Sequence, residues 1–171
     1  SWELQDAFIA TGALTITAGM VDVNGQTFSV GGAFSNAGTL SFDGNESVTL
    51  TMDTDSGTVR YAGSASYTGL PAGDSYYNLT FNGSGTWTLD APLVVNNNLT
   101  IAAGTLDVSA ASSHAVSVAG AFGNTGAFTA RNGTVTMSAA SGTKTVTAGP
   151  ANGAFYNLTL GAGGGTAVFS L

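Results

Sequence analysis

The sequence predicts an all-β protein, a right-handed parallel β-helix or β-solenoid. Three observations carry that prediction. Short segments that alternate apolar residues with Thr or Ser recur along the whole chain, as strands buried on one face require. Similar segments return about every 20 residues, close to the length of one solenoid coil. Glycine accounts for 25 of 171 residues and clusters between the segments, where turns need positive φ. No stretch sustains helical apolar spacing.

The elements follow in chain order. Leu14-Thr15-Ile16-Thr17, Thr27-Phe28-Ser29-Val30, Val48-Thr49-Leu50-Thr51-Met52, Leu99-Thr100-Ile101, Ala115-Val116-Ser117-Val118 and Thr134-Val135-Thr136-Met137 each place apolar side chains on one face. Thr suits the other face because β-branching favours strand geometry. Asn24-Gly25, Gly31-Gly32, Asp43-Gly44, Asn82-Gly83 and Asn132-Gly133 are the turns between them. Asn78-Leu79-Thr80-Phe81 returns 20 residues later as Asn98-Leu99-Thr100-Ile101. The inward candidates are Leu14, Ile16, Val21, Val23, Phe28, Val30, Phe34, Leu79, Phe81, Trp87, Leu89, Leu99, Ile101, Leu106, Val108, Val118 and Phe122.

A longer similarity overlies the short one. Trp2-Glu3-Leu4 matches Trp87-Thr88-Leu89, and Leu14-Thr15-Ile16 matches Leu99-Thr100-Ile101, both 85 residues apart. Gly32-Ala33-Phe34 matches Gly120-Ala121-Phe122, and Tyr77-Asn78-Leu79-Thr80 matches Tyr156-Asn157-Leu158-Thr159. The expected organisation is one continuous domain with a repeat at 1–85, a second at 86–165, and a further strand at 166–171 that opens another repeat or joins subunits. The alternative is two tandem immunoglobulin-like sandwiches. The 20-residue inner period and the lack of a linker argue against it.

The run from Tyr77 to Met137, with its NLTF, NNNLTI, GTLDV and GAFGNTGAF segments, resembles the parallel β-helix repeat regions of large bacterial surface proteins and adhesins. Filamentous-haemagglutinin-like and autotransporter-passenger stalks share the style. The resemblance covers nearly the whole chain and is one of repeat style. It implies an extracellular rod that builds a fibre or holds something away from the cell, and it implies no ligand or activity.

Composition narrows the function classes. Three Lys and Arg stand against ten Asp and Glu, a net charge of −7, too few cations to neutralise a run of phosphates. Nucleic acid is therefore not an expected partner. Nor is membrane insertion, since no apolar run approaches the length of a span. Cysteine is absent, so no disulfide or thiolate chemistry is available. The acids concentrate in the first half, where Glu3, Asp6, Asp22, Asp43, Glu46, Asp53, Asp55 and Asp74 face only Arg60. A solvated face accounts for them.

Both ends read as apolar strands. Trp2, Leu4, Phe8 and Ile9 open the chain, and Val168, Phe169 and Leu171 close it. Solenoids normally carry polar caps, so these residues are the expected joining surfaces to a second copy, head to tail, or to neighbouring repeats of a longer chain.

Few residues suggest chemistry. Asp53-Thr54-Asp55-Ser56-Gly57 is the nearest approach to a calcium loop, which makes Asp53 and Asp55 the candidate ligands, but the remaining EF-hand positions are missing. An acidic turn explains them as well, and no other cofactor is expected. The single histidine, His114, sits in a small-residue insertion and reads as a loop tip. With no paired acid and base, no enzyme activity is expected. Asn-x-Ser/Thr occurs at Asn45, Asn78, Asn82, Asn98, Asn132 and Asn157. Asn78, Asn98 and Asn157 are the glycosylation candidates, although Asn-Leu-Thr is also simply how this repeat opens a strand.

The expected function is a structural building block of an extracellular filament or surface stalk. An adhesin module that binds glycans or a host or cell surface is the alternative, with Tyr61, Tyr67, Tyr76 and Tyr77 as its only visible aromatic candidates. Ice binding is a minor alternative, based on Thr15/Thr17, Thr49/Thr51, Thr86/Thr88, Thr134/Thr136 and Thr143/Thr145/Thr147.

Overall fold

Each alternating segment is too short to bury its apolar face alone, so it must lie against a like segment one coil away. The computed structural model, which describes residues 1–149, 154–161 and 164–171, shows how. It contains short strands and no helix among the described residues, and every strand pair is parallel. Immunoglobulin-like sandwiches, built from antiparallel sheets, are thereby excluded. The chain is a β-solenoid of about eight turns.

One nine-stranded sheet runs through the whole stack. Its strands are Trp2–Glu3, Met20–Asp22, Thr39–Phe42, Thr58–Tyr61, Asn78–Phe81, Leu99–Ile101, Phe122–Asn124, Thr143–Thr147 and Val168–Ser170. The second strand position of each coil belongs first to a three-stranded sheet (Phe8–Ala10, Phe28–Val30, Val48–Thr49). It then passes to a four-stranded one (Ser66–Thr68, Thr86–Thr88, Thr105–Asp107, Ala127–Thr129). The third position likewise passes from a two-stranded sheet (Leu14–Ile16, Phe34–Asn36) to a five-stranded one (Ser75–Tyr76, Leu93–Val95, Val116–Val118, Thr134–Met137, Asn157–Leu160).

Register turns the pattern into ladders. In the long sheet Val21, Leu40, Val59, Leu79, Leu99, Phe122 and Val146 lie in one column, paired coil to coil. From Leu40 to Val146 the whole column is buried. Each fully buried side chain of this kind contributes about 1.5–3 kcal/mol. The neighbouring column is aromatic: Phe42 stacks on Tyr61 with centroids 5.8 Å apart, and Tyr61 on Phe81 at 5.6 Å. On the second face Tyr67 stacks on Trp87 at 5.6 Å. Of the predicted inward residues all are buried except Leu14 and Val21, which are half-buried in the first two coils.

The period of about 20 residues is the stacking period: Leu79 pairs with Leu99, and Phe81 with Ile101. The 85-residue similarity relates different positions. Leu14–Ile16 lies in the two-stranded sheet and its match Leu99–Ile101 in the long one. Trp2 is 71% exposed in the long sheet, and its match Trp87 is fully buried in the four-stranded sheet. Sequence matches at that distance therefore share local conformation and not a place in the stack. Pairing continues across residues 85 and 86, since Ser66–Thr68 pairs with Thr86–Thr88.

Two corners show such shared conformation. In Phe34-Ser35-Asn36-Ala37-Gly38 the Asn36 side chain is buried, and its Nδ2 donates to the Thr58 carbonyl at 3.2 Å. In Phe122-Gly123-Asn124-Thr125-Gly126 the Nδ2 of buried Asn124 donates to the Ala148 carbonyl at 2.8 Å. A left-handed glycine covers each asparagine from the following coil, Gly57 at φ 66° and Gly149 at φ 89°. A Cβ on Gly57 would run into the Asn36 carbonyl oxygen and side chain.

Replacing Gly57 by Ala is expected to cost about 2 kcal/mol, from the left-handed φ and the collision. Gly12→Ala, where a Cβ meets nothing within 4 Å, should change stability little. Urea unfolding of both variants checks this, and equal midpoints would refute the corner argument.

Candidate functional site

The two edges of the stack hold the predicted joining residues. At the first coil Trp2 and Ile9 are 71% and 70% exposed, while Leu4 and Phe8 are partly buried against the core. Phe8 stacks on Phe28, with centroids 5.2 Å apart. At the last coil Val168 and Leu171 are 59% and 82% exposed, and Phe169 packs partly against the core. Among the described residues Trp2–Glu3 pairs only with Met20–Asp22, and Val168–Ser170 only with Thr143–Thr147. Each strand therefore presents one edge of unpaired backbone N–H and C=O groups beside exposed apolar side chains, an arrangement suited to strand addition.

The acidic candidates serve the backbone. Asp53 Oδ1 accepts from the Asp55 and Ser56 amides, and Oδ2 from the Asn36 amide at 2.8 Å and the Ser56 hydroxyl at 3.0 Å. Burial alone would raise its pKa, but these bonds hold it below the ordinary value. Both oxygens are thus occupied by donors from the protein, and Asp55 is exposed. No group of three or more His, Cys, Asp or Glu is placed to hold a metal ion among the described residues. Glu46, expected on a solvated face, is instead 6% exposed. Its carboxylate accepts from the amides of Gly25, Asp43 and Gly44 at 3.3, 2.5 and 2.8 Å.

The remaining candidates separate. Asn78 Nδ2 donates to the Gly57 carbonyl at 2.8 Å, and its Oδ1 accepts from the Asn98 amide, so its side chain is part of a corner. Asn98 and Asn157 are exposed, with Asn98 Oδ1 accepting from the Ala121 amide at 2.8 Å. Tyr61 and Tyr76 are fully buried, their hydroxyls 2.9 Å apart, and burial pushes both pKa values up. They cannot form an exposed aromatic platform, and Tyr67 and Tyr77 are half-buried. The exposed tyrosine is Tyr156, at 62%. Its place in the Tyr-Asn-Leu-Thr motif, shared with Tyr77, disguised it in the sequence. The threonine pairs fall on five different sheets, since Thr15, Thr49, Thr86, Thr134 and Thr143 each begin or lie in strands of separate sheets. His114 is half-buried at the end of its loop, with its amide donating to the Val108 carbonyl at 2.7 Å.

Two cations bridge coils on the outer surface. Arg131 Nε and Nη2 donate to Asp107 Oδ1 and Oδ2 at 3.0 and 2.6 Å, and these bonds hold the Asp107 carboxyl below its ordinary pKa. Arg60 reaches Asp22 at 3.8 Å while its Nε donates to the Ser41 hydroxyl. Asp43 is the opposite case: burial, then Glu46 and Asp22, raise its pKa. Asp74 is raised by burial and Asp90, against a lowering by His114.

No helix among the described residues is long and apolar enough to cross a membrane. No protein family, curated protein or solved structure matches the chain.

The shifts have opposite signs in stability. A carboxyl lowered on folding, such as Asp107, stabilises above its unfolded pKa, and that stability is lost as pH falls through the folded value. A carboxyl raised on folding, such as Asp43, stabilises below its unfolded pKa, and that stability is lost as pH rises through the folded value. Asp107→Asn should therefore lower the unfolding midpoint at pH 7, by an amount that shrinks below about pH 4. Asp43→Asn should raise the midpoint at pH 7, with the gain vanishing in the same acid range. Thermal unfolding of both variants between pH 3 and 7 decides, and equal effects at all pH would show that the charges are not responsible.

Proposed function

We propose that this chain is a structural building block of an extracellular filament or surface stalk, joined head to tail through the edges of its solenoid. The observation that carries the reading is the alignment of the edges with the interior ladders. Trp2 pairs with Val21 and so stands in the column that continues through Leu40 to Val146. At the other end Thr145 pairs with Ser170, which brings Leu171 level with Val146. A further coil laid on either edge would extend the same sheet and bury these side chains. Such a contact is heterologous and does not close, so it propagates. The partner is a like coil, carried by a second copy or by adjoining sequence.

The work proposed is mechanical and not catalytic. About eight turns at ~4.8 Å give a rod roughly 40 Å long, with its apolar columns inside and Thr facing outward. The bacterial surface-stalk resemblance and the acidic, cation-poor surface support placing it outside the cell. They do not favour a nucleic-acid partner.

Purified chain at neutral pH is expected to form long, thin, unbranched filaments in negative-stain electron microscopy, with a fibre-diffraction spacing near 4.8 Å along the axis. Trp2→Asp and Leu171→Asp, which put a charge on each edge, should each leave short particles with unchanged circular dichroism. Compact monodisperse particles from the unmodified chain would overturn the reading.

A further inference from the structure

We propose that the cleft between Arg131 and Tyr156 binds a neutral pyranose unit of a glycan. This goes beyond the rod reading and does not depend on it, since none of the proposed joining residues lines the cleft.

The cleft has a volume of about 310 Å³ and is lined by Phe128, Thr129, Ala130, Arg131, Phe155 and Tyr156 together with Ala154. That volume lies at the small end of ligand sites, which run from about 300 to 1,000 Å³, and it suits a short saccharide unit. Its floor is fixed. Phe128 is fully buried, and the Phe155 ring lies 5.1 Å from Phe122 and 6.0 Å from Phe128. Its wall is Tyr156, an aromatic ring 62% exposed to solvent. An exposed ring on a rigid floor offers a flat apolar face to the C–H side of a sugar and a phenolic hydroxyl at its rim.

The lining also carries a fixed polar fork. Arginine has five N–H donors, and Arg131 gives two of them to Asp107. The other three have no partner among the described residues. The bidentate pair holds the guanidinium in one orientation while leaving those donors for ligand hydroxyls. Thr129 adds a hydroxyl that can donate and accept.

Charge selects the ligand class. Asp107 neutralises Arg131, so an acidic ligand would gain the guanidinium only by facing the carboxylate beside it. A cation would meet the reverse. A neutral polyol with an apolar face satisfies both the aromatic ring and the polar fork.

The test is saturation-transfer-difference NMR on the 171-residue chain with methyl glycosides of glucose, galactose, mannose and N-acetylglucosamine, and with glucuronate as the acidic control. Transfer to the ring C–H protons of at least one neutral glycoside is expected. Tyr156→Ala should weaken that binding about tenfold, because the stacking face is lost, and Tyr156→Phe should retain it. Thr129→Val supplies a second variant that leaves the aromatic wall intact; it should weaken binding about threefold by removing one hydroxyl. Absence of transfer to every neutral glycoside, transfer to glucuronate alone, or binding unchanged in both Tyr156→Ala and Thr129→Val would overturn the proposal. Filaments without sugar binding would refute this inference alone, and sugar binding without filaments would refute the rod alone.

Discussion

Parallel in-register stacking of successive coils is the constraint on which the rest of this molecule depends. A coil has no core of its own, so each inward position must be filled by a side chain that fits the one below and the one above. The long sheet meets this with the aliphatic column from Leu40 to Val146 and the aromatic column Phe42, Tyr61, Phe81. Within that register an inward change in one coil is felt by two neighbours. The corners obey the same rule. Asn36 and Asn124 turn inward because each finds a carbonyl one coil on, and a left-handed glycine lies over each.

The polar groups are organised by the stack as well. The carboxylates of Asp53 and Glu46 are spent on backbone amides of irregular loops between coils. A buried amide without a partner is costly, and a loop that leaves the ladder creates several. Where the chain departs from the regular coil, between Phe42 and Thr58, these acids take the place of ladder hydrogen bonds. Outside, Arg131 and Arg60 reach acids on other coils, tying the stack across its surface where solvent and salt keep such pairs weak.

The proposed roles use different parts of this design. The rod reading rests on edges where the ladders stop with apolar side chains and unpaired strands. The glycan cleft rests on the outer surface near the last coils, where Arg131 and Tyr156 from separate coils come together. A stalk that also carries a sugar-binding cleft would combine reach with attachment, and nothing in the register of the sheets sets one against the other.

How much was legible in the sequence follows from the range of each signal. Alternation and the 20-residue return of Asn-Leu-Thr are local, and they determined the all-β class, the parallel solenoid, and inward residues such as Phe28, Leu79 and Ile101. The exposed apolar residues Trp2, Ile9, Val168 and Leu171, proposed above as joining surfaces, could be named for the same reason, as apolar residues at the ends of a periodic pattern. The 85-residue similarity does not give a segment's place in the stack, because adding a few residues to four coils moves a matching segment to another face. The tyrosines could not be sorted either. Tyr61 and Tyr76 are inside and Tyr156 is outside, although each sits at or beside the end of a short strand. Burial depends on which coil covers a residue, and that is a property of the stack. Only the tertiary structure could therefore bury Glu46 among backbone amides, tie Asp53 to the amides of its loop and of Asn36, and bring Arg131 within reach of both Asp107 and the cleft beside Tyr156. Each of these contacts joins residues at least a whole coil apart or a loop with no period of its own, and no local pattern encodes which partner the winding of the chain will supply.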